Sequence, residues 1–252
     1  MNKNVIRQIL VVLATLATIV VNGLANALPI NGLGTGEISD MFDVFFVPAG
    51  YVFSIWGLIY LGLLAYSVYQ ALPSQRENAA LQKIGYLYIW SSVANIVWLF
   101  FWHYLLFPLT LLAMLVILGL LIAIYLRLDI GRTQVSTAEK WLVHVPFSIY
   151  LGWITVATIA NVTSLLDYLG WNGWGISPQV WAVIMLLAAV VISGIMSFTR
   201  TDIAYSLVLI WAFVGIAVKH QGTALVATSA WAASILVGIL LVVGVVFNRR
   251  RS

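Results

Sequence analysis

The chain has 252 residues, 63% of them hydrophobic and 8% charged, with a formal net charge of +4 and no cysteine. Soluble domains carry about 25% charged residues, so this composition excludes a water-soluble fold and predicts an all-α integral membrane protein. The basic residues are scattered at predicted helix ends, which argues against nucleic acid as a partner, and the lack of cysteine excludes disulfides and thiolate metal sites.

Hydropathy predicts eight spans, near residues 6–28, 48–71, 84–104, 108–127, 141–166, 178–198, 202–218 and 223–247. A crossing helix needs about 20 apolar residues, so the uncharged run 84–126 is two helices with a turn near His103–Pro108. The first span begins with basic residues and ends on Ala25-Asn26-Ala27, which resembles a signal-peptidase site. It is expected to be retained as a helix. The longest segment between spans, LPINGLGTGEISDMFDVFFVPAG at 28–50, is turn-prone in its first half and sticky in its second. Two readings of it stand: a lid over a pocket mouth, or a segment lying on lipid headgroups. Its carboxylates Glu37, Asp40 and Asp43 do not have the spacing of a calcium loop.

Three spans carry polar-aromatic faces at helical spacing. The second presents Phe53, Trp56 and Tyr60, the third Tyr88, Ser91, Asn95, Trp98 and Trp102, and the fifth Tyr150, Trp153, Ala157 and Asn161. An amide without a partner in hydrocarbon costs several kcal/mol, so Asn95, mid-span, must face other helices or a cavity. Helix–helix adhesion is one reading, since such bonds contribute about 0.6–2 kcal/mol. A pocket for a flat, mostly apolar ligand is the other, favoured because the pattern recurs on three helices. Trp90, Trp102 and Trp141 lie near span ends and are expected to be interface anchors. Ser177 and Pro178 form a start signal for the sixth span. On the last, Ala230, Ser234 and Gly238 recur at four-residue spacing, suited to close helix approach or to a dimer contact.

With the N-terminus in the cytoplasm, eleven of the twelve basic residues fall inside and only Lys219 outside. Both termini are therefore predicted to be cytoplasmic. No span centre carries Asp, Glu, Lys or Arg, which argues against ion-coupled transport. The histidines, His103, His144 and His220, are expected at the water interface. A haem ligated by His103 and His220 is the alternative.

These motifs resemble the TspO/MBR family, the tryptophan-rich sensory proteins related to the mitochondrial translocator protein. PAGYVFSIWGLIY keeps Pro48, Gly50, Phe53, Trp56 and Tyr60 of the family's loop-to-second-helix motif, with Tyr51 for a tryptophan and one residue fewer between Phe53 and Trp56. LYIWSSVANIVW keeps Leu87, Tyr88, Asn95 and Trp98, with Ser91 and Ser92 for a Gln-Leu pair. IYLGWITVATIAN keeps Tyr150, Trp153, Ala157 and Asn161. The resemblance covers residues 1–167 and implies a five-helix core, leaving 168–252 as a three-helix extension with a basic cytoplasmic tail.

The resemblance implies a receptor or sensor for a tetrapyrrole, such as porphyrin or haem, or for a sterol-like lipid. The ligand residues implied are Pro48, Tyr51, Phe53, Trp56, Tyr60, Tyr88, Ser91, Asn95, Trp98, Tyr150, Trp153, Ala157 and Asn161. No catalytic residue, metal site or required cofactor is expected; porphyrin or haem would be bound as ligand. Membrane lipid and a small apolar molecule are the expected partners, with a homodimer implied by family habit and a bacterial inner membrane as the location. Passive transport of an apolar molecule and light-dependent porphyrin breakdown are the alternatives.

Overall fold

The structure, a computed structural model, describes residues 2–28 and 30–249, with only the backbone of Arg249. Arg250 and Arg251 of the basic tail lie outside the described residues. The chain is an all-α integral membrane protein with no strand among the described residues. Its main helices are α1 (Lys3–Ala27), α2 (Ile55–Ala71), α3 (Ala79–His103), α4 (Phe107–Arg127), α5 (Val145–Tyr168), α6 (Pro178–Arg200), α7 (Ile203–Lys219) and α8 (Ala224–Arg249). Seven are long and apolar enough to cross a membrane, α2 and α5 with the short helical turns that precede them. The remaining one, α7, has 17 residues, the lower end of the spanning range of about 17–25.

Local chemistry sets the helix starts. Asn78 Oδ1 accepts from the backbone N–H groups of Ala80 and Leu81 at 3.0 and 3.3 Å, capping α3. Pro108 sits in the first turn of α4, as the turn near His103–Pro108 requires. Ser177 caps α6 ahead of Pro178, its Oγ accepting from Val180 N at 3.4 Å. Asp202 caps α7 through Tyr205 N at 3.0 Å.

The chain forms two compact units, residues 1–38 with 56–151 and residues 39–55 with 152–252. The division falls within α5, between Leu151 and Gly152.

In the first unit, α3 packs on α1 and on α4. Helices α1 and α3 run parallel: Thr15 Oγ1 meets Tyr88 Oη at 2.8 Å, and seven residues further along both helices Asn22 Nδ2 donates to Asn95 Oδ1 at 2.9 Å. Gln8 and Gln70 join α1 to α2 by exchanging bonds from each side chain to the other's backbone carbonyl, at 2.6 and 3.1 Å. Residues 30–38 fold against the end of α3, where Asn31 Nδ2 donates to His103 O at 3.1 Å and Trp102 Nε1 to Thr35 O at 3.1 Å.

In the second unit, α6, α7 and α8 pack on one another. Gly244 lets α8 approach α6 closely, since a Cβ there would sit 2.6 Å from Ser197 O. Ala230 and Ser234 are buried in this unit, so their small side chains serve helix packing within the chain. The segment 39–55 lies along α7: Ala49 N donates to Gly215 O at 3.1 Å, Trp211 Nε1 donates to Val52 O at 3.1 Å, and Lys219 Nζ pairs with Asp40 at 2.7 Å. The segment 28–50 is thus held to protein by hydrogen bonds in each unit. Its apolar Ile38, Phe46 and Val47 are buried, while Met41 is exposed.

Candidate functional site

The face of α3 is the centre of the first unit. Tyr88, Ser91, Asn95 and Trp98 are all buried, as helical spacing predicts. They do different things. Tyr88 is core: its hydroxyl meets Thr15, and its ring packs edge-on against Tyr66 at 5.0 Å and Phe147 at 5.9 Å. Ser91 Oγ donates to Tyr88 O at 2.8 Å, a bond within its own helix. These two residues, expected at a ligand, are occupied by protein.

Asn95 and Trp98 differ. The Oδ1 of Asn95 accepts from Asn22, so the amide joins α1 to α3. The carboxamide also interacts with the Tyr150 hydroxyl as a side-chain hydrogen-bonding neighbour, although its Nδ2 has no acceptor at strict hydrogen-bonding geometry. One turn along, Trp98 Nε1 is likewise buried without an acceptor. Buried donors are almost always bonded, and these two stand three residues apart on one helix face. The aromatic residues expected here are present in the same unit. Trp56 stacks on Tyr60 with centroids 5.4 Å apart and meets Tyr150 edge-on at 6.0 Å, and Trp98 stacks on Trp102 at 5.6 Å.

In the second unit, Phe53 and Trp153 pack edge-on at 5.7 Å. Tyr51 is partly exposed and packs on Trp211 at 5.4 Å. Pro48 lies against Gly215, where a Cβ would come within 3.0 Å of its own. Asn161 is buried with an unpartnered Oδ1, and Ala157 is half-buried.

Two expectations need correction. Trp102 is not an interface anchor: it is 5% exposed, stacked on Trp98 and bonded to Thr35. Trp90 and Trp141 are exposed. His144 and His103 are not at a water interface but buried, His103 fully. The Nδ1 of His103 donates to Ile30 O at 3.2 Å and its Nε2 accepts from Thr35 Oγ1 at 3.0 Å, which fastens residues 30–35 onto α3. With both ring nitrogens so used, His103 is a structural clamp. His220 is half-buried, its Nε2 donating to Val47 O at 3.3 Å and its ring against Phe45 at 5.2 Å. Burial, with Lys219 adding to it, holds the His220 pKa below the usual imidazole value against the opposing pull of the Val47 carbonyl. No cluster of His, Asp or Glu suited to a metal occurs among the described residues.

Sequence reasoning missed the partners on α1. Gln8, Val11, Thr15, Thr18, Asn22 and Ala25 are its buried stripe, together with Arg7. The alternating three- and four-residue spacing was a readable signal, hidden because threonine and a single asparagine barely lower the hydropathy of the run. Also unforeseen is a cavity of about 330 Å³ in the second unit, between residues 43–46, the end of α5 and the start of α6. None of the expected ligand residues lines it.

An all-helical membrane chain with a buried face of rings and amides is the class of protein these features define. A family model described as TSPO-like protein matches residues 8–244, and the chain belongs to that family. The match runs through α6, α7 and α8, so the three helices that the sequence motifs left outside the resemblance lie within the family match. No curated protein and no solved structure matches the chain.

Proposed function

We propose that the protein is a membrane receptor for a planar apolar ligand, a tetrapyrrole or a sterol-like lipid, bound in the first unit against the α3 face. The observation that carries this reading is the pair of buried donors without acceptors, Asn95 Nδ2 and Trp98 Nε1, one helical turn apart. A carboxylate of a porphyrin, or a sterol hydroxyl, would supply the missing acceptor. The rings of Trp56, Tyr60, Tyr150 and Trp98 would supply flat apolar walls. Membership of the TSPO-like family supports a ligand of this kind. The bacterial inner membrane is the proposed location, with both termini on the cytoplasmic side on the strength of the basic residues at the predicted cytoplasmic ends.

The test is a titration of protoporphyrin IX and of haem into the detergent-solubilised protein, read by tryptophan emission. Saturable quenching is expected, weakened about tenfold in Asn95→Leu and in Trp98→Phe, as loss of a hydrogen bond of about 1.4 kcal/mol to a charged acceptor implies. Identical affinities in wild type and both variants would remove the α3 face from the reading. A cholesterol competition separates the two ligand classes.

A further inference from the structure

The cavity in the second unit shares no residue with the face just described and has its own chemistry. At about 330 Å³ it is the size of small-molecule pockets, which begin near 300 Å³. Its walls include the rings of Phe45, Trp171 and Trp181, and it runs down α5 and α6 beside Leu166 and Met185. Two carboxylates, Asp43 and Asp167, stand in the lining and are otherwise exposed.

The ring wall is a constructed feature. Trp171, Trp174 and Trp181 pack with centroids 5.0–5.9 Å apart. Trp181 Nε1 donates to Gly173 O at 2.9 Å. Gly173 has φ +62°, and a Cβ there would lie 3.0 Å from Trp181 Nε1, so only glycine fits without strain. Trp174 itself adopts φ 54°, a left-handed conformation that costs a non-glycine residue about 1 kcal/mol or more. Simple interface anchoring explains Trp174, which is 77% exposed. It does not explain Trp171 and Trp181, which are half-buried and line the cavity.

The carboxylates select the occupant. Among the described residues, neither Asp43 nor Asp167 has a side-chain hydrogen bond or a cationic partner. The nearby cation on the same unit, Lys219, is committed to Asp40 at 2.7 Å. An anion entering the cavity would be repelled by both carboxylates, and a neutral molecule would gain nothing from them. A cation flanked by rings gains from carboxylate and ring faces together. We infer that this cavity binds an organic cation with an apolar body, an alkylammonium whose head sits between Asp43, Asp167 and the Trp171–Trp181 wall and whose tail lies along Leu166 and Met185. A free amphiphilic amine and the choline headgroup of a lipid share this chemistry.

The probe is radiolabelled octyltrimethylammonium, with equilibrium binding measured to the full-length protein in maltoside micelles, which contain no choline, and in phosphatidylcholine nanodiscs. Saturable binding is expected in micelles. Asp43→Asn with Asp167→Asn should weaken it at least tenfold, whereas Glu37→Gln, an acidic residue outside the cavity, should leave it unchanged. The two substituted aspartates are exposed, so folding is preserved, and an unaltered circular dichroism spectrum verifies this. Trp181→Leu should weaken binding several-fold. Unchanged affinity in the double variant, or equal competition by octyl sulfate, would overturn the inference. Loss of probe binding in phosphatidylcholine nanodiscs assigns the site to the lipid headgroup, and retained binding assigns it to a free cation. Porphyrin quenching through Asn95 and Trp98 is read on separate residues, so either site can fail alone.

Discussion

The two roles open to Asn95, adhesion between helices and ligand contact, can be separated by substituting each side of its bond to Asn22. Asn22→Leu leaves Asn95 with a buried, unpartnered Oδ1 in addition to its unpartnered Nδ2. An orphaned buried polar group costs about 1–3 kcal/mol, so this variant should lose that much stability. Asn95→Leu removes the amide altogether, including the orphaned Nδ2. It leaves Asn22 Nδ2 still donating to Thr18 O at 2.9 Å. The loss is then close to that of an interhelical bond alone, about 0.6–1.7 kcal/mol. The order is the prediction: Asn22→Leu is the more destabilising, although both break the same bond. The double variant should recover stability relative to Asn22→Leu. Unfolding in mixed micelles of increasing sodium dodecyl sulfate fraction, followed by circular dichroism, measures the cycle. Porphyrin affinity, measured on the same samples, should fall in Asn95→Leu and hold in Asn22→Leu. Equal destabilisation by both variants, with porphyrin affinity unchanged in each, would refute the argument and leave Asn95 as helix adhesion only.

Tyr66 is fully buried, and its hydroxyl has no hydrogen-bond partner. Tyr66→Phe keeps the ring contacts with Tyr88 and Phe147 and removes an orphaned polar atom, so thermal stability should rise by about 1–3 kcal/mol equivalent. Gly215→Ala would place a Cβ in overlap with Val52 Cγ2 and 3.0 Å from Pro48 Cβ. Overpacking of this kind costs about 1–3 kcal/mol and should loosen Trp211 from Val52, seen as a shift in tryptophan emission. His220 has a depressed pKa, so the unfolded chain binds a proton that the folded chain resists. Its contribution is therefore fully present above the unfolded imidazole value of about 6.5 and is lost as pH falls from there towards the lower folded value. The melting temperature should drop between pH 7 and pH 5 by more in wild type than in His220→Gln.

What was legible in the sequence is what period and composition control. The run 84–126 read as two helices because it has no charge and too many residues for one crossing, and α3 and α4 are found there with Pro108 in the first turn. The buried face Tyr88–Ser91–Asn95–Trp98 followed from spacing alone, since helix geometry puts those residues on one side whatever packs against them. What packs against them was not legible. Spacing says that Tyr88 and Asn95 point the same way, but the hydroxyl of Thr15 and the amide of Asn22 reach them only because α1 runs parallel to α3 in one register. The cavity wall was hidden for a different reason. Trp171, Trp174 and Trp181 converge through left-handed residues at Gly170, Gly173, Trp174 and Gly175, and a non-periodic turn leaves no pattern to count.

The same contrast explains why the residues expected at a ligand do not behave as one set. A helix face is assigned by direction, whereas a ligand contact is assigned by unmet chemistry, and the two diverge along α3. Tyr88 and Ser91 point inward and are satisfied, one by Thr15 and one by its own helix. Asn95 is satisfied on one atom and open on the other, and Trp98 is open. Demand for a partner therefore increases along the helix from Tyr88 towards Trp98, away from the aromatic core of Tyr66, Tyr88 and Phe147 and towards the end that His103 clamps beneath residues 30–35. Substituting serine for the family's glutamine acts at the satisfied end of this gradient. Ser91 spends its donor on Tyr88 O, so its hydroxyl has no hydrogen left to donate elsewhere, and under the proposed function the discriminating polar contact would pass to Asn95 and Trp98.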